Sequence, residues 1–391
     1  MLPFEEALRT VLDSAHRLAD EPVDLTHALN RILAEDVESD MDMPPSDRAV
    51  MDGYACRRED LANELTIVET IRAGMLSEKA IGPNQCAKIM TGAPVPKGAD
   101  CVIMVEFTEN PTDSTVRFVG EETEDHIRPQ GQDIRAGQVV LLKGTRIRPQ
   151  HIAVLASVGR AQVRVAKRPR VAVIATGDEL VEPRLKPEPW GLRNSNGPQL
   201  AAQLEGVGAV VRDYGIARDT VGDIDGVFKK AAAENDVVLI SGGVSMGDFD
   251  LVPGILRQND IELLFEKIAL KPGKPTVFGI SEKGYCFGVP GNPVSTFVVF
   301  ELLVKPFLYR LMGHDYAPPN VQMPLAESIS RKDTERQGWT PVTITDAGTL
   351  KHVEYHGSGH IDALSGADGL VSMGVGVAEI PKGTVVRVRL I

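Results

Sequence analysis

The run Ser241-Gly242-Gly243-Val244-Ser245-Met246-Gly247-Asp248-Phe249-Asp250 places three glycines and two serines ahead of a pair of aspartates. Glycines let backbone N–H groups curl around an anion, and the hydroxyls add donors. Carboxylates beside an anion repel it unless a cation lies between them, so the run suits a phosphate held with Mg2+. A glycine-rich turn that serves packing alone is the competing use. Lys271-Pro272-Gly273-Lys274-Pro275 fixes two ammonium groups on a stiff turn, which suits an oxyanion or a plain solvated basic turn. Pro290-Gly291-Asn292-Pro293-Val294-Ser295 opens a helix whose first amides suit a ligand, with Asn292 as cap and Pro293 where its missing N–H costs nothing. In Thr176-Gly177-Asp178-Glu179-Leu180 the hydroxyl and amides suit phosphate, while Asp178 or Glu179 suits a divalent cation or a helix cap.

Three of these turns follow short apolar runs: Val171–Ala175, Val237–Ile240 and Tyr285–Val289. Buried parallel strands read as continuous apolar runs, and open α/β sheets bind ligands beyond the carboxyl ends of their strands. The three turns are therefore expected to form one crevice. From Val171 to about Leu311 the chain alternates strand, loop and helix, with helices expected over Gly197–Gly206, Asp223–Glu234 and Val294–Leu303 and a strand over Val210–Tyr214. This predicts a mostly parallel, doubly wound sheet. Upstream, Phe4, Ala7, Leu8, Val11, Leu12, Ala15 and Leu18 recur at helical spacing, and Thr26–Leu33 reads as a second helix that Met43-Pro44-Pro45-Ser46 ends. Residues from about 50 to 165 are rich in Gly and Pro with β-like pieces, and the last seventy or so alternate in the β manner. Met51-Asp52-Gly53-Tyr54 and Met90-Thr91-Gly92-Ala93 are turn-rich, with no chemistry legible from spacing.

At 391 residues, 43% hydrophobic and 25% charged, the chain has the make-up of a soluble multidomain protein. A net charge of −12 argues against nucleic acid and anionic membrane as partners. The four cysteines form no C-x-x-C pair, the eight histidines no ligand cluster (His151, His352, His356 and His360 are expected to be surface or hydrogen-bond-satisfied residues), and no apolar stretch is long enough to span a bilayer. With no signal-peptide pattern, a cytoplasmic location is expected. No nucleophile elbow, Walker A or dinucleotide fingerprint occurs, so triad and nicotinamide chemistry are disfavoured.

Together the motifs resemble the molybdopterin molybdotransferase family, which includes bacterial MoeA and the C-terminal domain of gephyrin. The resemblance runs over Ser46–Ala55, Met90–Asp100, Thr176–Leu180, Ser241–Asp250, Lys271–Pro275 and Pro290–Ser295, in the family's order. It implies an α/β multidomain fold: β-rich, partly interleaved N-terminal lobes over 1–166, a central doubly wound molybdopterin-binding α/β domain over 167–315, and a small C-terminal β-barrel over 316–391. It implies a cytoplasmic homodimer that takes adenylylated molybdopterin and molybdate with Mg2+, inserts the metal into the dithiolene and releases AMP. Molybdopterin adenylyltransferase and molybdoenzyme apoproteins are the protein partners it suggests. Carried over by position, Asp52, Thr91, Glu179, Asp219, Asp250, Lys271 and Lys274 are the functional polar residues, and Asp178, Asp248 and Asp250 the Mg2+ candidates. Thr176, Gly177, Ser195, Asn196, Ser241, Gly242, Gly243, Ser245, Pro290, Gly291, Asn292, Pro293, Ser295, Arg336 and Ser358 are the expected binding residues; Lys271, Lys274, Ser295, Arg336 and Ser358 fall on the molybdate side. Asn194-Ser195-Asn196-Gly197 stands where many relatives have Asp-Ser-Asn-Arg. A non-catalytic scaffold and the same chemistry with tungstate are the alternatives.

Overall fold

The structure is a computed structural model that describes residues 1–245, 250–354 and 356–391. Asp248 and the rest of 246–249 lie outside the described residues.

The central unit is a six-stranded sheet built from β1 (Arg170–Thr176), β2 (Val210–Ala217), β3 (Val237–Ser241), β4 (Glu262–Phe265), β5 (Val277–Ser281) and β6 (Gly284–Val289) in the order β2-β1-β3-β6-β5-β4. Only β5 runs antiparallel to its neighbours, so the expectation of a mostly parallel sheet holds. The apolar runs are continuous because both faces are covered. Val171 and Val173, Val237 and Leu239, and Phe287 and Val289 pack into one core; Ala172 and Ile174, Val238 and Ile240, and Cys286 pack into the other. That is the two-residue period of a strand read twice. Helix α1 (Asn196–Val207) and the helical stretch beginning with α2 (Pro293–Val299) cover the first face. Helices over Val221–Glu234 and Val252–Gln258 cover the second.

The stretch after Pro293 runs past the expected Leu303. It passes through a π-helical turn, Phe300–Val304, and ends at Leu311. The N-terminal helix, Phe4–Asp13, also packs on the first face through Phe4, Ala7 and Val11, and stops five residues before Leu18.

The second expected helix does not form. Only Leu25–His27 turns, as a 3-10 helix, and Asn30 then adopts a left-handed φ of 64°. From there the chain is extended: Asn30 N–H donates to Ile147 O at 2.9 Å and Leu33 N–H to Thr145 O at 3.0 Å. Pairing with residues 145–147 outweighs the local helical pattern, as tertiary context commonly does.

The N-terminal half contains a six-stranded sheet built from Gly53–Cys56, Glu64–Ile71, Gln85–Ile89, Cys101–Met104, Thr108–Thr112 and Thr115–Phe118. A separate apolar cluster joins Ala28, Leu33 and Val37 to Ile147, Leu155, Val158, Val163 and Val165. The chain thus leaves this cluster, builds the sheet and returns, with Met43 N–H donating to Ile134 O at 2.7 Å where it crosses.

At the C-terminus another sheet orders Leu270–Lys271, Gln337–Ile344, Gly369–Met373, Val385–Leu390 and Asn320–Pro324, with Leu350–His352 paired to the second of these. Its first strand comes from the α/β unit: Leu270 pairs with Gln337 and Lys271 with Gly338. No helix is long and apolar enough to cross a membrane among the described residues.

Candidate active site

The turns after β1, β3 and β6 meet at the carboxyl edge of the sheet, at the point where the strand order reverses between β1 and β3. Open α/β sheets bind ligands at such a switch point. At Gly242 the meeting is close enough that a side chain is excluded. A Cβ there would fall 2.5 Å from Thr176 O and 2.7 Å from its Oγ1, whereas a Cβ on Gly291 would rest in ordinary contact, 3.6 Å from Gly242 Cα. Gly242 and Gly243 also carry φ of +96° and +64°, which other residues rarely adopt. Gly242→Ala is therefore expected to lower stability by about 2 kcal/mol and to narrow the crevice. Denaturant melting alongside a ligand titration checks both effects.

The crevice encloses about 700 Å3. Of the expected site residues, Thr176, Gly177, Glu179, Ser195, Asn196, Asp219, Ser241, Gly242, Gly243, Ser245, Asp250, Pro290, Gly291, Asn292 and Pro293 line it. Leu180, Leu192, Arg193, Asn194, Val244, Pro275, Gly359 and Ile361 line it too. Most of these carry no signal in the sequence: an apolar wall residue such as Leu192 has no chemical signature, and Gly359 and Ile361 arrive from the C-terminal part of the chain.

Among the described residues, one side chain lining the crevice has a buried polar atom with no hydrogen-bond partner. Asn196 is 8% exposed and sits in the first turn of α1. Its amide nitrogen donates to Ser241 Oγ and to Gly291 O, each at 2.7 Å, tying β3's turn to β6's. Its Oδ1 is buried without a hydrogen-bond partner among the described residues. A buried, unpaired acceptor on a crevice wall costs about 1–3 kcal/mol and is suited to a ligand N–H or O–H.

Two residues before it, Asn194 Oδ1 accepts the Gly197 N–H at 2.9 Å and so caps the helix. A Cβ on Gly197 would fall 2.8 Å from Asn194 Nδ2. The Asn194 side chain thus packs directly against the bare Gly197 backbone.

Among the described residues, three carboxylates line the crevice, Glu179, Asp219 and Asp250. Glu179 folds over the β1 turn, where a Cβ on Gly177 would fall 2.6 Å from its Oε2. Asp178 and Asp219 brace each other. The Asp178 N–H donates to Asp219 Oδ2 at 3.2 Å, and the Asp219 N–H donates to Asp178 Oδ1 at 3.3 Å. Asp178 itself is exposed and braces the turn beside Asp219, one residue from the crevice-lining Glu179. Among the described residues, no three His, Cys, Asp or Glu side chains converge closely enough to hold a metal on their own. Mg2+ is commonly held by one or two carboxylates with water and phosphate oxygens, and the crevice offers such carboxylates in Glu179, Asp219 and Asp250 without a three-residue cluster.

The other expected residues stand apart from the crevice lining. Asn292 Nδ2 donates to Ser358 Oγ at 2.8 Å and the Val294 N–H donates to Ser358 O at 3.1 Å, so Ser358 holds the start of α2. Ser295 is buried one turn further on. Lys271 Nζ lies 3.4 Å from Asp333 Oδ2, which also accepts from Arg336, while Lys274 is exposed. The Arg336 guanidinium beside Asp333 holds its carboxyl down to about 2.

Asp52 and Thr91 pair with each other in the N-terminal sheet region: Thr91 N–H and Oγ1 both donate to Asp52 Oδ1, at 2.7 and 2.8 Å. The backbone bond, then the hydroxyl, hold the Asp52 carboxyl below its ordinary range. Gly53 is required beside them because a Cβ there would meet Ile103 O at 1.9 Å. No residue from the N-terminal half lines the crevice.

Residues 2–159 match the MoeA N-terminal region (domain I and II), and residues 172–310 match the probable molybdopterin binding domain. The molybdopterin molybdenumtransferase of Staphylococcus epidermidis is 37% identical over 400 aligned residues, covering 100% of this chain and 95% of that protein. The chain belongs to the molybdopterin molybdenumtransferase family. The Staphylococcus aureus molybdopterin molybdenumtransferase is 36% identical over the same coverage. Among solved structures, the molybdopterin biosynthesis moeA protein of Pyrococcus horikoshii superposes with a TM-score of 0.87 at 31% identity, covering 100% of both chains. The α/β multidomain architecture is therefore shared with this family along the whole chain.

Proposed function

We propose that the protein inserts molybdate into adenylylated molybdopterin and releases AMP, giving molybdenum cofactor. The carrying observation is the crevice at the carboxyl edge of the sheet: glycine turns that let a ligand approach backbone, three carboxylates, and the unpaired Asn196 Oδ1 on one wall. Relatives of the same length carry the molybdopterin molybdenumtransferase name. In this arrangement the turns at Gly242 and Gly243 seat the phosphates, and Asn196 Oδ1 accepts from an N–H of the pterin. Glu179, Asp219 and Asp250 would hold Mg2+, which supplies charge neutralisation at the phosphate that is cleaved. Lys271, Lys274 and Arg336 offset the charge of molybdate and hold it near the dithiolene, so that proximity replaces a chance encounter of two anions. The dithiolene sulfurs are themselves the ligands that molybdenum gains, so no covalent enzyme intermediate is required.

Asp52 and Thr91 enter the reaction through a second copy of the chain. Their surroundings support this: Val50, Met51, Val105 and Phe107 are apolar and 38–49% exposed, and the Val105 N–H donates to Asp52 O. Such a surface suits burial against another subunit. We read the chain as a cytoplasmic homodimer with units over 1–166, 167–315 and 316–391, the last closing as a small barrel. The adenylyltransferase that makes the substrate and the apoenzymes that take the product are its expected partners.

Incubating the protein with adenylylated molybdopterin, Mg2+ and molybdate is expected to release AMP and to yield cofactor that reconstitutes a molybdoenzyme. Folded, dimeric protein that binds molybdopterin without releasing AMP would instead identify a scaffold.

A further inference from the structure

A carboxylate already sits between the two cations at the seam of the α/β unit and the C-terminal sheet. Asp333 Oδ2 accepts from Lys271 Nζ at 3.4 Å, and the same oxygen accepts from Arg336 Nη2. Asp333 Oδ1 accepts the Glu335 N–H at 3.2 Å, so a short turn fixes the orientation of the carboxylate. The cations are anchored as well. Lys271 lies on the strand paired with Gln337 and Gly338, and Arg336 Nη1 donates back to Leu270 O at 3.4 Å. The neighbouring Arg331 does not compete for Asp333, because its guanidinium is spent on the carbonyls of Arg336, Gly374 and Val377. The cluster is open to solvent: the Lys271, Asp333 and Arg336 side chains keep 43%, 29% and 21% of their exposure.

We propose that Asp333 is a built-in counter-ion of the oxyanion site, one that a tetrahedral dianion displaces and a monoanion does not. The inference rests on the placement of molybdate at Lys271 and Arg336 given above. A carboxylate offers the pair one negative charge and one shared oxygen. Molybdate offers two charges and a separate oxygen for each cation, so the exchange favours it. Chloride or formate offers no more than Asp333 does and must compete with a group tethered at high effective concentration. The tether lowers the apparent affinity for every anion by the fraction of time the cations are occupied. Affinity is lower as a result, but monoanions, which must also displace the tether, disturb molybdate binding less than they would at bare cations. Dianions of the same shape, such as tungstate, displace it equally.

The test is calorimetric titration of molybdate into the full chain, at low and at raised chloride, for wild type, Asp333→Asn, Glu335→Gln and Lys271→Ala. Asparagine keeps an Oδ1 for the Glu335 N–H while removing the charge. The Asp333→Asn protein is expected to bind molybdate about tenfold tighter at low chloride and to lose that gain as chloride rises. Glu335→Gln removes a charge from the same loop and is expected to stay within about twofold of wild type in both conditions, which accounts for general screening. Equal or weaker binding by Asp333→Asn, or a chloride dependence no steeper than that of Glu335→Gln, overturns the proposal. Should the asparagine protein not fold, Asp333→Ser carries the same expectation. Unchanged molybdate binding in Lys271→Ala would remove the oxyanion site itself, and is distinguishable because it does not depend on Asp333.

Discussion

Asp250→Ala is expected to lower turnover by about 10²-fold or more while stability changes by about 1 kcal/mol at most. Asp250 lines the crevice together with Ser241, Gly242, Gly243 and Ser245, where a phosphate is expected, and it is only half-buried. A carboxylate in that place acts on the charge of the bound ligand, so truncating it is read first in turnover. Asp250→Asn separates the two contributions, since it keeps the shape and hydrogen-bonding reach and removes the charge. The asparagine protein should be nearly as slow as the alanine protein if charge is what matters. Single-turnover AMP release and urea melting, measured on the same preparations, check the prediction. If activity and stability fall in parallel, the side chain braces the turn, and the cation-holding role passes to Glu179 and Asp219.

The three strands that carry the crevice were legible because parallel strands buried on both faces have no polar side to interrupt them. Val171–Ala175, Val237–Ile240 and Tyr285–Val289 each lie within a strand of the sheet, and the turns behind them converge. What sequence could not supply were relations between distant residues. The helical pattern at Thr26–Leu33 yields to pairing with residues 145–147, more than a hundred positions away. Gly53 reads as an ordinary turn glycine, yet it is fixed by the carbonyl of Ile103 across the sheet. Asp178 and Asp219 looked like separate acids; their reciprocal backbone bonds show that Asp178 braces a turn while Asp219 lines the crevice. Asp333 carried no signal at all, because its partner Lys271 is 62 positions away in the chain.

The same distance effect hides the residue whose loss is expected to cost the most stability. Glu301 is 5% exposed and lies in the π-helical turn that continues α2. Its Oε2 meets Lys305 Nζ at 2.8 Å and its Oε1 accepts from Gln203 Nε2 at 3.1 Å, while its backbone carbonyl accepts from Arg389 of the C-terminal sheet. Burial alone would push the Lys305 ammonium down, but Glu301 more than offsets this and holds it above its ordinary value. Removing Glu301 strips that ammonium of its carboxylate, leaving only the Tyr316 ring beside it, and takes the acceptor from Gln203 on the seam between the α/β unit and the C-terminal sheet. Glu301→Ala is therefore expected to destabilise the protein by about 3–5 kcal/mol, read from denaturant melting. The pair itself is a different matter, because two buried charges also lose their hydration. The double replacement Glu301→Gln with Lys305→Met should cost less than Glu301→Ala alone, since no charge is stranded. A double variant as unstable as the sum of its single changes would mean that the two side chains act independently, and that the seam is held by Arg389 stacked over Tyr316 instead.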